Sequence, residues 1–150
     1  MNLLEKVKKL ELDADEFGFR WENTRQIMQQ IQSECVEIEE HLGVNLANQA
    51  ALQEEIGDLL HAVFSLCVFC KFEPQETLRA TLAKFERRLL AVKQLANADG
   101  KATLAGHSFA ELMQYWDQAK ILVRHVERRE TSPDFEEVPH FIRDDEGERN

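Results

Sequence analysis

The sequence predicts an all-α fold: a bundle of four main helices preceded by an additional short N-terminal helix. Three observations predict it. Four long segments carry their apolar residues at helical spacing, and no stretch alternates convincingly as a strand would. Only three prolines and six glycines occur, and they cluster at the expected breaks.

Taken in order, a short helix is expected over Leu3–Leu10, followed by a loop through "DADEFGFRW". The first long helix runs from about Glu22 to Leu42 and is expected to stop at Gly43, the residue that most easily takes a left-handed C-terminal cap. The second runs from about Asn48 to Lys71. The third begins at Pro74, whose missing N–H costs nothing in a first helical turn. In it Leu78, Leu82, Phe85, Leu89 and Val92 form one apolar stripe. After a loop, "NADGKATLAGH", the fourth opens at Ser108 with Glu111 three residues on, a capping box, and continues to about Arg129. Residues 1–130 thus read as one helical domain. Residues 131–150, acidic and holding two prolines, read as a loosely ordered tail or one that wraps a neighbour.

The totals narrow the partners. A chain of 150 residues with 43% hydrophobic content can bury one core, and its formal charge of -10 argues against a nucleic-acid backbone or an anionic membrane. A nucleotide remains admissible if a divalent cation brings it in. No apolar run is long enough to span a bilayer, and acids interrupt the opening "MNLLEKVKKLELDADEF", so a cytoplasmic address is expected. The three cysteines make no disulfide framework, and "CVFC" has no second pair to complete a zinc site; Cys67 and Cys70 read as small core residues. The second long helix is apolar around most of its circumference. That favours a homodimer, or a tetramer, in which another subunit covers the extra face.

The acids are placed less blandly. Glu34 and Glu37 lie three apart on the first long helix, and Glu55 and Asp58 on the second. Residues at that spacing share a helix side. The short connection makes the two helices antiparallel neighbours, so both pairs would face one seam. Four oxygen donors with little sulfur or imidazole nearby describe a hard-cation site, Mg²⁺ or Mn²⁺. Solvated faces also carry acids at this spacing, and Glu39, Glu40 and Glu54 include some of that kind. Asp58 weighs against the bland alternative, because Leu59, Leu60, Ala62 and Val63 follow it closely. Lys84 and Arg88 share one side of the third helix, and Trp116 and Lys120 one side of the fourth. Beside a metal–carboxylate cluster, such cations suit a polyphosphate and the indole suits a base or sugar. Without one, they read as surface ion pairs and core packing.

Together these pieces resemble the MazG family of nucleoside triphosphate pyrophosphohydrolases. The family pattern EExxE, then ExxD, is met by "SECVE" from Ser33 to Glu37 and "EIGD" from Glu55 to Asp58. The likeness continues through "LLHAVFSL", "EPQETLRATLAKFERRLLAV" and "YWDQAK", and upstream "DEFGFRWENT" looks like the loop bearing the family's tryptophan, here Trp21. It covers roughly Leu3 to Arg128. The resemblance implies a dimerising helical bundle, Mg²⁺ held by Glu34, Glu37, Glu55 and Asp58, and hydrolysis of a nucleoside triphosphate to monophosphate and pyrophosphate. It places Lys84, Arg88, Trp116 and Lys120 at nucleotide contacts. Arg88 and the lysines would stabilise charge developing on the phosphates, and Glu34 or Glu54 would take the attacking water's proton. Two positions depart from the pattern. Ser33 replaces the first glutamate of EExxE, and Ala51 stands where some active members carry a phosphate-assisting lysine.

Two rivals follow from the same residues. Asp58 and His61 have the spacing seen in carboxylate-bridged di-iron bundles, but no second such pair accompanies them, and His61 reads as a core or outer-sphere histidine. The departures at Ser33 and Ala51 equally suit a catalytically weakened or silent helical dimer that still binds nucleotide.

Overall fold

Helix is the only regular structure among the residues that the computed structural model describes, 1–44 and 48–131. Five helices follow one another: α1 Leu3–Phe17, α2 Thr24–Val44, α3 Gln49–Phe69, α4 Pro74–Ala98 and α5 Phe109–Glu130. The all-α expectation holds. The tail expected from 131 onward lies, beyond Thr131, outside the described residues.

α1 is longer than its sequence suggests. It opens on a full capping box, in which Asn2 accepts from the Glu5 N–H at 2.8 Å and Glu5 accepts from the Asn2 N–H at 2.9 Å. It then continues through "DADEF" to Gly18, which closes it at φ 93°. Asp costs a helix only a few tenths of a kcal/mol, about 0.7 at most. Glu11, inside this stretch, is anchored on α3: its Oε1 accepts from Ser65 Oγ at 2.6 Å and lies 2.7 Å from His61 Nε2. Tertiary bonds thus outweigh a weak local preference. They also correct the reading of His61, which is neither core nor paired with a metal-binding acid but exposed and joined to Glu11.

α2 carries Gly43 inside it and ends at Val44, so the expected glycine cap is not where the helix stops. Gly43 stands next to the last residue of α2, where a glycine costs less than it would in mid-helix. α3 begins where expected, with the Asn48 side chain accepting from the Ala51 N–H at 3.1 Å. It ends in a Schellman motif: Phe72 N–H donates to Cys67 O and Lys71 N–H to Val68 O, both at 3.0 Å. The left-handed position is taken by Lys71, at φ 66°, rather than by glycine. α4 starts at Pro74, whose ring is fully buried, and α5 at Ser108, whose hydroxyl accepts from the Glu111 N–H at 3.2 Å.

The chain divides into two units, Met1–Leu82 and Ala83–Asn150. In the first, α2 and α3 pack along one another and α1 packs on α3. Ile27, Ala62 and Ser65 are buried there. Cys67 and Cys70 are only half-buried, and Cys35 is exposed; all three are free thiols, so the first two are not the closed core residues expected. α3 leaves Ile56, Leu60 and Val63 exposed, as its apolar circumference foretells. In the second unit, Tyr115 Oη donates to Asp99 Oδ2 at 2.6 Å, Lys101 Nζ sits 5.3 Å from the Tyr115 ring centre, and Arg87 pairs with Glu127 at 2.9 Å. Ala91, Ala96 and Ala119 are buried there. No described helix is long and apolar enough to cross a membrane.

Candidate metal centre

The α2–α3 seam gathers three carboxylates. Glu34, Glu37 and Glu55 each bring an oxygen into a group lying within 4.8 Å of one another. Helical spacing does this on α2, where Gln30, Glu34, Glu37 and His41 follow at intervals of four, three and four and so line one stripe. α3 supplies Glu55 from the facing helix.

The three carboxylates are not equivalent. Glu34 is buried, at 6% of its full exposure. Its Oε1 accepts from Gln30 Nε2 at 2.5 Å, while its Oε2 is buried without any hydrogen-bond partner. Such an orphaned carboxylate oxygen is costly to bury among like charges. Glu37 and Glu55 relieve one another differently. A hydrogen bond from Glu37 to the Glu55 carboxyl, reinforced by the negative charge of Glu55, pushes the Glu37 carboxyl above the ordinary range. One proton is therefore held more tightly between this pair than on a free glutamate. His41 Nε2 stands 3.8 Å from Glu55 Oε1.

This donor set fits a hard divalent cation. All three groups are carboxylates, one oxygen is buried and unpaired, and the raised affinity of Glu37 for a proton marks a place where negative charge is crowded. Asp58 falls outside the group of three and is exposed; it sits one turn beyond Glu55 on the same helix side. Glu54 is exposed as well.

Of the basic and aromatic residues named from the sequence, Lys84, Arg88, Trp116 and Lys120 lie in the second unit and Trp21 in the first. Arg88 places its guanidinium carbon 5.7 Å from the Trp116 ring centre, and Phe85 meets the same ring at 5.9 Å. Arg88 Nε is buried without a hydrogen-bond partner. Lys84 is exposed, and Lys120 pairs with Asp117 at 3.1 Å. The structure thus brings Arg88 and Trp116 together.

Gln30 and His41 escaped the sequence reading. Their spacing from Glu34 and Glu37 was a usable signal, since all four share a stripe. Glu11 and Ser65 left no such mark, because residues on different helices meet only in the fold.

Comparison with known proteins bears on this seam directly. The model of the MazG nucleotide pyrophosphohydrolase domain matches residues 22–92, which contain all four acids. The nucleoside triphosphate pyrophosphohydrolase/pyrophosphatase MazG of Thermotoga maritima is 28% identical over 117 residues, 78% of this chain and 44% of that protein. A nucleoside triphosphate pyrophosphohydrolase of Escherichia coli K12 is 26% identical over 117 residues, with the same coverages. The uncharacterized protein YabN of Bacillus subtilis is 36% identical over 69 residues, 46% of this chain and 14% of that protein. The chain spans less than half the length of these curated relatives.

Proposed function

Because this chain belongs to the MazG nucleotide pyrophosphohydrolase domain family through residues 22–92, we propose that it is a Mg²⁺-dependent nucleoside triphosphate pyrophosphohydrolase. It would convert an NTP or dNTP to the monophosphate and pyrophosphate. The observation that carries this reading is the buried, unpartnered Oε2 of Glu34 beside Glu37 and Glu55, which gives the family's metal chemistry a place to act.

In this reading Glu34, Glu37 and Glu55 hold the ion, and Asp58 joins them from the next turn of α3. A bound Mg²⁺ or Mn²⁺ supplies Lewis acidity and lowers the pKa of its water. Water attacks the α–β phosphoanhydride, and the leaving oxygen departs with pyrophosphate. Glu54, exposed, is one acceptor for the water's proton and Glu34 the other. Lys84, Arg88 and Lys120 meet phosphate charge, and Trp116 meets the base or sugar. Residues 1–130 act as one cytoplasmic helical domain. A second copy would cover Ile56, Leu60 and Val63, making a homodimer or a tetramer.

A second reading rests on Ser33 and Ala51, the two departures from the family pattern: a helical dimer that binds nucleotide without turning it over. One assay separates the two. Pyrophosphate release from a panel of nucleoside triphosphates, with Mg²⁺ or Mn²⁺ and again with chelator, is expected to be metal-dependent for the enzyme. Nucleotide binding with no release on any substrate would leave only the second reading.

A further inference from the structure

We infer that Gln30 is the positioning residue of the metal centre: its amide commits Glu34 to offer a single oxygen, Oε2, to the ion. The inference rests on the metal-binding reading above and deepens it. Three observations carry it. Gln30 Nε2 donates to Glu34 Oε1 at 2.5 Å, so that oxygen is already engaged. Glu34 is buried at 6% exposure, so its carboxylate has little freedom to turn. Its other oxygen, Oε2, is buried and lacks any partner, though Glu34 stands within 4.8 Å of the Glu37 and Glu55 oxygens.

A carboxylate with both oxygens free can bind a cation through two atoms, or can bind through one and accept a proton on the other. Gln30 disfavours both options. The amide N–H occupies Oε1, fixes the plane of the carboxylate and leaves one oxygen for the ion. Partners of this kind behind a metal ligand are worth about 10–100-fold in metal affinity. Mg²⁺ demands near-ideal octahedral geometry, so a ligand fixed to one oxygen suits it better than a swivelling one. There is a consequence for the reaction. With Oε1 already accepting from Gln30 and Oε2 on the ion, Glu34 is the weaker base, and the water's proton goes to Glu54.

The test is metal affinity by titration calorimetry, with Mg²⁺ and with Mn²⁺, on the full chain. Gln30→Met keeps the side-chain length and removes the donor. It is expected to weaken affinity by about 10-fold or more, while helix content by circular dichroism stays that of the wild type. Gln30→Ala removes the same donor with a smaller side chain and should show the same loss. In a Glu34→Gln background, Gln30→Met should change affinity little, because the group it positions is gone. Infrared difference spectra of the carboxylate stretches on Mg²⁺ addition should show one-oxygen binding in the wild type and an altered splitting in Gln30→Met. Equal affinity in wild type and Gln30→Met overturns the inference while leaving the metal centre standing. So does an equal loss in both backgrounds, which marks a merely structural role. A wild type that binds neither ion overturns the metal centre and this inference with it.

Discussion

Among the described residues, each of the two units buries one side-chain polar atom without a hydrogen-bond partner, and the two groups carry opposite charge. In the first it is Glu34 Oε2, in the second Arg88 Nε. Their surroundings differ. Arg88 lies over Trp116, and an aromatic face attracts a cation, contributing about 0.5–2 kcal/mol. Glu34 lies among Glu37 and Glu55, which repel it. A guanidinium on an indole is partly compensated by a ring of opposite polarity; the Glu34 carboxylate has only the Gln30 amide, on one oxygen, against two like-charged neighbours. The seam between α2 and α3 is therefore the place that most needs a foreign charge, and the Arg88–Trp116 stack is the place that can wait for one.

The sharpest way to break this contrast is to remove a ligand. Glu55→Ala is expected to abolish both turnover and metal binding, read by pyrophosphate release and calorimetry. Asp58→Ala should do the same, and a mutant with full activity would remove that residue from the site. A smaller effect is expected in the second unit. Lys84→Ala should raise KM by about 10-fold with kcat little changed, the loss of a charge-assisted phosphate contact of roughly 1.5 kcal/mol. Arg88→Lys keeps the charge but loses the flat stacked guanidinium, so it should behave as a partial loss and not as a conservative swap.

Acid offers a subtler probe of the carboxylates. Glu37 holds its proton above the ordinary glutamate range because of Glu55. A cation must displace that proton, so Mg²⁺ affinity should fall as pH drops through the raised value, and binding should release protons, measurable in buffers of different ionisation enthalpy. The sign for the metal-free fold is the reverse. A carboxyl whose folded pKa is raised favours the fold below its unfolded value, and that advantage disappears as pH rises through the folded value. Glu37→Gln should therefore raise the metal-free Tm near neutral pH and leave it unchanged in acid. The smallest effect is a control away from both orphaned atoms. Lys71→Gly relieves a left-handed lysine at the end of α3 and should add about 1 kcal/mol in a denaturant titration without moving metal affinity.

Much of this was legible in the sequence where local chemistry decides. Asn48, Pro74 and Ser108 mark helix starts because caps and missing N–H groups act within one turn. Glu34, Glu37 and Glu55 were legible because a three-residue spacing and a short connection force them together. What escaped depends on distant partners. α1 outruns its expected end because Glu11 meets Ser65 and His61 on α3, and Gly43 stays helical against a local signal. The half-exposed Cys67 and Cys70 escaped too, since burial is a property of the packed chain and not of the residue type.

The bond between Glu11 and the buried Ser65 hydroxyl has a practical consequence for anyone trimming this protein. The family-matched stretch begins at residue 22, and an expression fragment cut there would discard α1 entirely. Ser65 would be left facing the gap with its acceptor gone. Such a fragment should express as a weaker, stickier molecule than the full chain, for reasons unrelated to its chemistry.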